Sequence, residues 1–318
     1  MKSMANKEEI IRSLKEDLRK KGYGIVGRHS AVKPCLWTKK SILDEGVCYK
    51  QVFYGIESHR CLQMSPAAYY CTQRCIFCWR PQYFTAREFD EIDDPEFIIE
   101  ESIKLHRKLL VGFKGNPKAN LRKWEESRNP KHVAISLIGE PTLYPRLGEL
   151  IEYAHKKGMT TFLVSNGTMP EVIENLDPLP TQLYITVAAT NKEMHEKVCR
   201  PLIPDSWEKL MKTLSLFPSL NTRKVIRLTL VKGLNMEDVE GYAKIIEKYE
   251  PDFVEPKAFM LVGSARERLK IENMPRHEDI MNFARKLAEL TSYELVAEKA
   301  ESRVALLMKE EVKRFINT

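Results

Sequence analysis

Short apolar runs alternate with helical patterns along most of the chain, and this alternation limits the folds that are open to it. Six strand-like runs recur, at 66–70, 132–137, 160–165, 182–188, 225–231 and 253–259. Helical patterns lie between and after them, at about 95–111, 117–128, 144–157, 191–198, 206–216 and 236–249. Strands that alternate with helices imply right-handed crossovers and a parallel sheet. The order therefore predicts an α/β fold, a partial (β/α)6 barrel of the TIM type.

Three segments are predicted from this pattern. Residues 65–260 would form the barrel, and residues 1–64 would form an N-terminal extension that carries three cysteines. Residues 261–318 would close the barrel with a helix near 277–291 and strands at 293–297 and 303–308. The length of 318 residues is typical of a single α/β barrel.

The N-terminus is charged and has the pattern of an amphipathic helix. A signal peptide would need an apolar stretch there, and no apolar run reaches the ~18 residues that span a bilayer. We therefore expect a cytoplasmic protein with no membrane partner. In that compartment, clustered cysteines are more often metal ligands than disulfides.

Six of the seven cysteines fall within one 44-residue stretch, in two sets of three. Cys71, Cys75 and Cys78 have the spacing C-x3-C-x2-C, whereas the upstream set is separated by twelve residues at each step and comprises Cys35, Cys48 and Cys61. A structural zinc ion normally takes four ligands. Three thiolates can hold a [4Fe–4S] cluster and leave one iron open. The two sets predict two [4Fe–4S] clusters, and Cys199 is predicted to be a free, partly buried thiol.

Turn-forming residues follow several of the predicted strands, at 138–141, 165–168 and 232–233. In parallel barrels the catalytic groups lie on the loops after the strands. The C-x3-C-x2-C loop also follows a strand, the one predicted at 66–70. We therefore expect these segments to converge at one mouth of the barrel.

The loop CTQRCIFCWR resembles the signature of the radical S-adenosylmethionine (SAM) superfamily, C-x3-C-x-(aromatic)-C, with Phe77 in the aromatic position. The resemblance covers roughly 65–260 and implies that the open iron chelates the amino and carboxylate groups of SAM. Gly139 and Glu140 look like part of the superfamily's GGEP motif, although Ile138 stands where its first glycine would be. Further SAM contacts are implied for the turn after the third strand, at Ser165, Asn166 and Gly167.

The upstream cysteines, read together with CYKQVFYGIESHRC and SPAAYYCTQRCIFCWR, resemble the 4-demethylwyosine synthase family. The resemblance implies a substrate, N1-methylguanosine on the 3′ side of the anticodon of phenylalanine tRNA. It also implies that pyruvate donates two carbons to a third ring. Eukaryotic relatives carry an added flavodoxin-like domain. Only 34 residues precede Cys35 here, so a separate electron donor of the flavodoxin or ferredoxin type is expected.

Two arrangements for pyruvate remain open. The second cluster could chelate the carboxylate and keto oxygens of pyruvate, or it could have a structural or electron-relay role. Lys50, two residues after Cys48, could instead hold pyruvate as a Schiff base. Lys50 could equally be an ordinary surface lysine or a point charge for an anion.

The positive charge of the chain is concentrated between Lys104 and Lys131. Nine cations and two carboxylates lie there, which equals the net charge of +7 of the whole chain. Such a segment is either a solvated helical face or a phosphate-binding surface. The resemblance to a tRNA-modifying family favours the second, with Trp124 stacking on a base. The predicted tRNA contacts are Lys104, Arg107, Lys108, Lys118, Arg122 and Lys123.

Two other classes remain as alternatives. Methylthiotransferases and lipoyl synthases are radical SAM enzymes that also carry a second three-cysteine cluster, and a tRNA methylthiotransferase is the main competitor. A metal-stabilised RNA-binding protein without enzymatic activity is the other. The mass of the product distinguishes the first alternative, since a methylthiotransferase adds sulfur whereas the wyosine reaction adds two carbons. The iron content of the purified protein distinguishes the second.

Overall fold

The computed structural model describes residues 2–316 and, at the N-terminus, side chains from Glu8 onward. The helices, in chain order, are α1 (Lys2–Lys20), α2 (Leu36–Ile42), α3 (Tyr49–Tyr54), α4 (Pro95–Leu109), α5 (Leu121–Ser127), α6 (Leu147–Lys156), α7 (Pro170–Glu174), α8 (Lys192–Cys199), α9 (Ser206–Ser215), α10 (Val239–Tyr249) and α11 (His277–Glu289). The strands are β1 (Gly24–Val26), β2 (Ser30–Val32), β3 (Cys61–Ser65), β4 (His132–Ile135), β5 (Thr160–Ser165), β6 (Gln182–Thr186), β7 (Arg223–Leu230), β8 (Phe253–Ala258), β9 (Glu294–Lys299) and β10 (Val304–Met308).

The chain divides into two compact units, each built from several segments. Unit 1 comprises 1–47, 57–71 and 80–161, and unit 2 comprises 48–56, 72–79 and 162–318. The first two residues of β5 belong to unit 1 and the rest of that strand belongs to unit 2.

Unit 1 is built on the strands β1 to β4. Strands β1 and β2 form an antiparallel hairpin, β2 pairs antiparallel with β3, and β3 pairs parallel with β4. Helix α4 packs on β1 and on α6. Helix α4 begins at Pro95 because Asp94 caps it, accepting the backbone N–H of Glu96 at 3.0 Å.

Unit 2 carries most of the parallel sheet. Strands β5, β6, β7 and β8 pair in parallel in that order, and β10 then pairs antiparallel with β8 and with β9. The strands β6 and β7 are almost wholly apolar on their buried positions, as expected for a sheet with both faces covered. An apolar cluster formed by residues of α3, β5 to β8 and β10 fills the core.

The structure confirms the β/α alternation and corrects its first strand. The run at 66–70 is not a strand; the strand is β3, which ends at Ser65 just before it. Pro66 has no backbone N–H for a ladder, and the chain turns where the N–H of Tyr70 bonds to the oxygen of Ala67 at 3.1 Å. The other predicted strands and the predicted helices from 95 onward are present within a few residues. The hairpin of β1 and β2 and the short helices α2, α3 and α7 were not predicted. The three predicted domain boundaries stay a prediction.

No helix within residues 2–316 is long and apolar enough to cross a membrane.

Candidate active site

The cysteine loop, residues 71–78, is held in place by its backbone. In unit 1, the N–H of Cys71 bonds to the oxygen of Ala86 at 3.0 Å. In unit 2, the N–H of Ile76 bonds to the oxygen of Val198 at 2.9 Å, and that of Arg74 bonds to the oxygen of Arg200 at 3.0 Å. The loop therefore lies along the C-terminal end of α8 and the residue that follows this helix.

Arg268 fixes the end of the cysteine loop in unit 2. Its guanidinium donates from Nε to the oxygen of Ile76 at 3.1 Å and from Nη2 to the oxygen of Cys78. No sequence pattern singled out Arg268, since it lies almost two hundred residues along the chain from the loop. These bonds orient the backbone that carries Cys78.

None of the seven cysteines is joined in a disulfide. Cys35 caps α2, its sulfur accepting the N–H of Thr38 at 3.3 Å, while Cys48 precedes α3 and Cys61 begins β3. Each set of three is divided between the units: Cys48 of the upstream set and Cys75 and Cys78 of the loop belong to unit 2, and the other three belong to unit 1. Within the described chain, no group of three His, Cys, Asp or Glu side chains is arranged around a metal position. The assignment of the six cysteines to clusters stays a prediction.

Phe77 and Cys199 lie in apolar surroundings. Phe77 is partly buried and packs against two clusters, one with Val231 and Phe259 and one with Val198 and Cys199. Cys199 is 4% exposed. Cys199 is a free thiol, as predicted, but it is buried rather than partly buried. Phe77 serves as the apolar anchor of the loop.

Gly139 is required by the close approach of two backbone segments in unit 1. Its φ is +76°, and a Cβ there would lie 1.8 Å from the oxygen of Ala67. The next N–H, of Glu140, bonds to the oxygen of Tyr70 at 2.8 Å. The Glu140 carboxylate accepts the N–H and the hydroxyl of Thr142 at 3.2 and 2.6 Å. The turn after β4 thus lies against the residue that precedes Cys71.

The turn after β5 reaches the cysteine loop within unit 2. Asn166 donates from Nδ2 to the hydroxyl of Thr72 at 2.8 Å, and its Oδ1 accepts the hydroxyl of Thr168 at 2.7 Å. Ser165 Oγ accepts the N–H of Gly167 at 3.0 Å. At Gly167 the φ is +71° and a Cβ would lie 2.7 Å from Leu210. This turn therefore positions the residue that follows Cys71.

Lys50 is buried in unit 2, where it is only 7% exposed. It lies on α3, and its Nζ is 4.5 Å from the ring centre of Phe162 and 4.4 Å from that of Tyr184. Aromatic faces attract a cation and exclude water from it. The reading of Lys50 as an ordinary surface lysine is therefore wrong.

Arg227 contacts the same aromatic set. Its guanidinium is 4.5 Å from the ring centre of Tyr184, donates to Tyr49 Oη at 2.6 Å and pairs with Glu255 at 3.1 Å. Glu255 is fully buried and also accepts the hydroxyl of Tyr54 at 2.7 Å. Burial raises the pKa of Tyr54 and of Tyr49 well above the usual value, so both hydroxyls keep their protons.

Lys257 completes what we call the buried cation cluster, which comprises Lys50, Arg227 and Lys257. Its Nζ is 5.0 Å from the ring centre of Tyr49 and donates to the oxygen of Ser302 at 2.8 Å. Burial, reinforced by the charge of Arg227, lowers the pKa of Lys257 to about 8. Sequence reasoning missed Arg227, Glu255 and Lys257. A signal was present, because charged residues interrupt the apolar runs VIRLTLV and FVEPKAF.

The residues between Lys104 and Lys131, called the basic segment below, lie on α4, α5 and their connection in unit 1. Lys104, Lys108, Lys118 and Arg122 are exposed. Several are paired locally: Lys104 with Glu101 at 3.0 Å, Arg122 with Glu126 at 2.9 Å and Lys123 with Asp44 at 2.5 Å. Arg107 donates to the oxygen of Arg128 at 2.6 Å.

Trp124 does not offer its ring for base stacking. It is 6% exposed, packs with Ile42 and Leu110, and donates its indole N–H to the oxygen of Leu110 at 2.9 Å. His106 is also buried, which lowers its pKa to about 4. The predicted stacking role of Trp124 is wrong, because the apolar face of α5 turns it into the core of unit 1.

Two family models match the chain. The model described as "Radical SAM superfamily" matches residues 66–246, and "Wyosine base formation" matches residues 248–309. A radical SAM methyltransferase from Sphaerobacter thermophilus shares the fold, with a TM-score of 0.51 at 13% identity over 82% of this chain and 66% of that one. The chain has the α/β fold of the TIM-type radical SAM enzymes, as the sequence predicted.

Close relatives narrow the class. The S-adenosyl-L-methionine-dependent tRNA 4-demethylwyosine synthase of Pyrococcus abyssi is 55% identical over 300 residues, which cover 92% of this chain and 88% of the relative. A solved structure of TYW1 with a lysine–pyruvate adduct bound has a TM-score of 0.86 at 40% identity, covering 96% of this chain and 97% of that one. The chain belongs to the family of tRNA 4-demethylwyosine synthases.

The human relative TYW1 is 38% identical over 304 residues, which cover 94% of this chain but 41% of the relative. The predicted family and class of enzyme are confirmed. Membership of the radical SAM superfamily implies SAM and one [4Fe–4S] cluster.

Proposed function

We propose that this chain converts N1-methylguanosine, on the 3′ side of the anticodon of phenylalanine tRNA, into 4-demethylwyosine. Pyruvate supplies two carbons of the new ring, and its carboxylate carbon is lost. The family membership and the wyosine-formation match over 248–309 support this reaction. The N-methyl group is unactivated, so a base cannot remove its proton and a hydrogen atom has to be abstracted. When bound, the cluster and SAM supply the 5′-deoxyadenosyl radical that does so.

Cys71, Cys75 and Cys78 suit the cluster that binds SAM. Their thiols form no disulfide and are only partly buried, and backbone bonds hold the loop that carries them. The hydrogen bond from Asn166 to Thr72 holds the turn after β5 beside the cysteine loop, where the turn would orient SAM. Phe77, Gly139, Glu140, Ser165 and Gly167 are proposed to shape the rest of the SAM site.

The observation that carries the proposal is the position of Lys50. A lysine held between the rings of Phe162 and Tyr184 is shielded from water, and a relative of the same fold has been solved with a lysine–pyruvate adduct. We propose that the Lys50 amine attacks the keto carbon of pyruvate and that loss of water gives an imine. The imine fixes pyruvate, so that its carbon skeleton meets the methylene radical in one orientation.

Borohydride trapping tests this role. Reduction in the presence of carbon-labelled pyruvate would convert the imine into a stable secondary amine, and peptide mapping would locate the label. We expect the label on Lys50, none in Lys50→Arg, and undiminished labelling in Lys224→Arg, a lysine of unit 2 outside the cation cluster. We further expect Lys50→Arg to lose nucleoside product by at least about a hundredfold, since the arginine keeps the charge but is not a nucleophile. Label on Lys257, or unchanged turnover in Lys50→Arg, would remove Lys50 from the mechanism.

A second [4Fe–4S] cluster on Cys35, Cys48 and Cys61 is part of the proposal. It would lie close to Lys50, since only one residue separates Cys48 from that lysine. Iron analysis after anaerobic purification tests it: we expect about eight irons per chain, and about four in Cys48→Ala. If Cys48→Ala retains the full iron content, the second cluster is not ligated by these cysteines.

The basic segment is proposed as the tRNA surface. The target base is stacked in the anticodon loop, and moving it to a buried radical costs a few kcal/mol. Phosphate contacts from Lys104, Lys108, Lys118 and Arg122 would offset part of that cost. Arg107 and Lys123 are proposed to assist them from their local partners. An external donor of the flavodoxin or ferredoxin type would supply the electron, in the cytoplasm, and reconstitution with either protein as sole reductant tests that part.

A further inference from the structure

Arg80 is a fully buried arginine with only part of its guanidinium satisfied. The side chain is 2% exposed. Its Nη1 points at three oxygens, of Phe84 at 3.2 Å, of Thr85 at 3.1 Å and of Pro81 at 3.4 Å. Its Nε and Nη2 are buried and have no hydrogen-bond partner within residues 2–316. Among the described residues, Arg80 belongs to no ion pair, whereas Arg28 and Arg146 pair with Asp93 and Asp94.

This arrangement is costly without a ligand. A guanidinium is a permanent cation, and a buried charge whose partner is missing destabilises a protein by several kcal/mol. The unfilled N–H groups lie on the Nε–Nη2 edge. That edge is the one on which arginine presents two parallel donors to an anion. The side chain is therefore preorganised for an anionic group with two acceptor atoms.

The position of Arg80 identifies where that anion lies. Along the chain it follows Cys78 by two residues, which limits the distance between their Cα atoms to about 7 Å. Within unit 1, its Nη1 bonds fasten it to Phe84 and Thr85. The next residue, Ala86, accepts the N–H of Cys71 at 3.0 Å. Arg80 is thus close to Cys78 along the chain, and it bonds to the segment that also holds the backbone of Cys71.

We propose that Arg80 is the counter-charge of the iron–sulfur cluster held by Cys71, Cys75 and Cys78, and that its Nε–Nη2 edge donates hydrogen bonds to sulfur atoms of that cluster. The inference rests on the proposed assignment of these three cysteines. A resident cluster satisfies the buried cation throughout the life of the protein, whereas SAM, a visiting ligand, would leave it unpaired between turnovers. Its burial also keeps Arg80 from tRNA phosphates.

The consequence is electronic. Reduction adds one negative charge to a cluster already ligated by three thiolates, so a neighbouring cation stabilises the reduced form more than the oxidised form. Hydrogen bonds to the sulfurs act in the same direction, and both raise the reduction potential. Arg80 would therefore make the cluster easier for an external donor to reduce.

Potentiometric titration followed by electron paramagnetic resonance tests this. The signal that changes on addition of SAM marks the cluster of interest. We expect Arg80→Gln to keep its iron but to shift the potential of that signal to more negative values, with the equilibrium constant for reduction lowered about tenfold. Arg80→Lys, which keeps the charge but not the fork, should shift it less. The matched control is Arg74→Gln, which removes one exposed cation from the same loop and should leave the potential unchanged.

Each remaining outcome counts against the proposal. Unchanged potentials in both Arg80 variants would overturn it. A tenfold loss of SAM affinity at an unchanged potential would also overturn it and assign Arg80 to the SAM carboxylate. If Arg80→Gln does not retain a cluster, Arg80→Lys decides alone, and a wild-type potential there overturns the proposed hydrogen bonds from the Nε–Nη2 edge to the cluster sulfurs. A wild-type protein that binds no SAM-responsive cluster would instead refute the assignment of the cysteines.

Discussion

The chain concentrates positive charge in two regions that differ in almost every physical respect. The buried cation cluster of unit 2 has three members, each held by aromatic faces or defined hydrogen bonds. The basic segment of unit 1 has nine cations, largely exposed, and those with ion-pair partners bond to surface carboxylates. Buried charges cost much to leave unpaired, whereas exposed ones are screened and replaceable. We propose that the first region holds one small ligand in one geometry and that the second binds a polyanion.

The largest expected effect is on stability and follows from replacing Glu255, the carboxylate that pairs with Arg227 of the buried cation cluster. Glu255→Gln leaves Arg227 buried without its counter-charge, so the free energy of unfolding should fall by about 3–5 kcal/mol. Urea denaturation measures it. The matched change on the basic segment, Glu126→Gln, should cost less than about 1 kcal/mol, because Arg122 remains solvated. Equal costs for the two variants would erase the distinction between the regions.

The second effect concerns the buried histidine beneath the basic segment. Burial holds the pKa of His106 at about 4, below its usual value of 6.5. Between these values the unfolded chain binds a proton that the folded chain does not, so stability falls as the pH drops from 6.5 towards 4. Between pH 7 and pH 5, wild type should lose about 2 kcal/mol more than His106→Leu. Parallel losses in the two proteins would show that His106 is protonated in the fold.

The third effect is on tRNA binding. Reversing two charges of the basic segment, Arg122→Glu with Lys123→Glu, should weaken tRNA binding about tenfold or more and reduce its salt dependence, because phosphate contacts release counterions. SAM cleavage in the absence of tRNA should not change. The control Lys244→Glu with Lys248→Glu makes the same change of net charge on exposed positions of α10. If the control weakens binding equally, total charge rather than this surface attracts the tRNA.

The smallest effect is expected for one member of the exposed set. Lys104→Gln should weaken tRNA binding by less than about threefold and lower the slope of log affinity against log salt by about one. Filter binding at several salt concentrations measures both. A tenfold loss from this single change would mean that Lys104 acts as a defined contact, in the manner of the buried cation cluster.

Sequence patterns reached the fold and the family but not the surroundings of Lys50. The order of the strands and the cysteine loop follow from local periodicity and spacing, and both can be read directly from the sequence. Phe162 and Tyr184 contact Lys50, and Arg227 contacts Tyr184, only because β5, β6 and β7 lie side by side. No local pattern contains that information. The predicted stacking role of Trp124 was wrong for the same reason. The sequence shows a tryptophan among cations but not which face of α5 carries it. The strand predicted at 66–70 is absent because Pro66 cannot donate to a ladder, although the run has the apolar content of a strand.

Arg227 and Glu255 face each other across the parallel pair of β7 and β8. A slip of one residue in that pairing would set Arg227 against Val254 or Pro256 and leave both charges alone in the core. The pair therefore locks the register of the two strands as well as the cation cluster. It also makes the two positions inseparable for evolution: a change at either one alone is penalised, so we expect relatives of this chain to keep both or to replace both together.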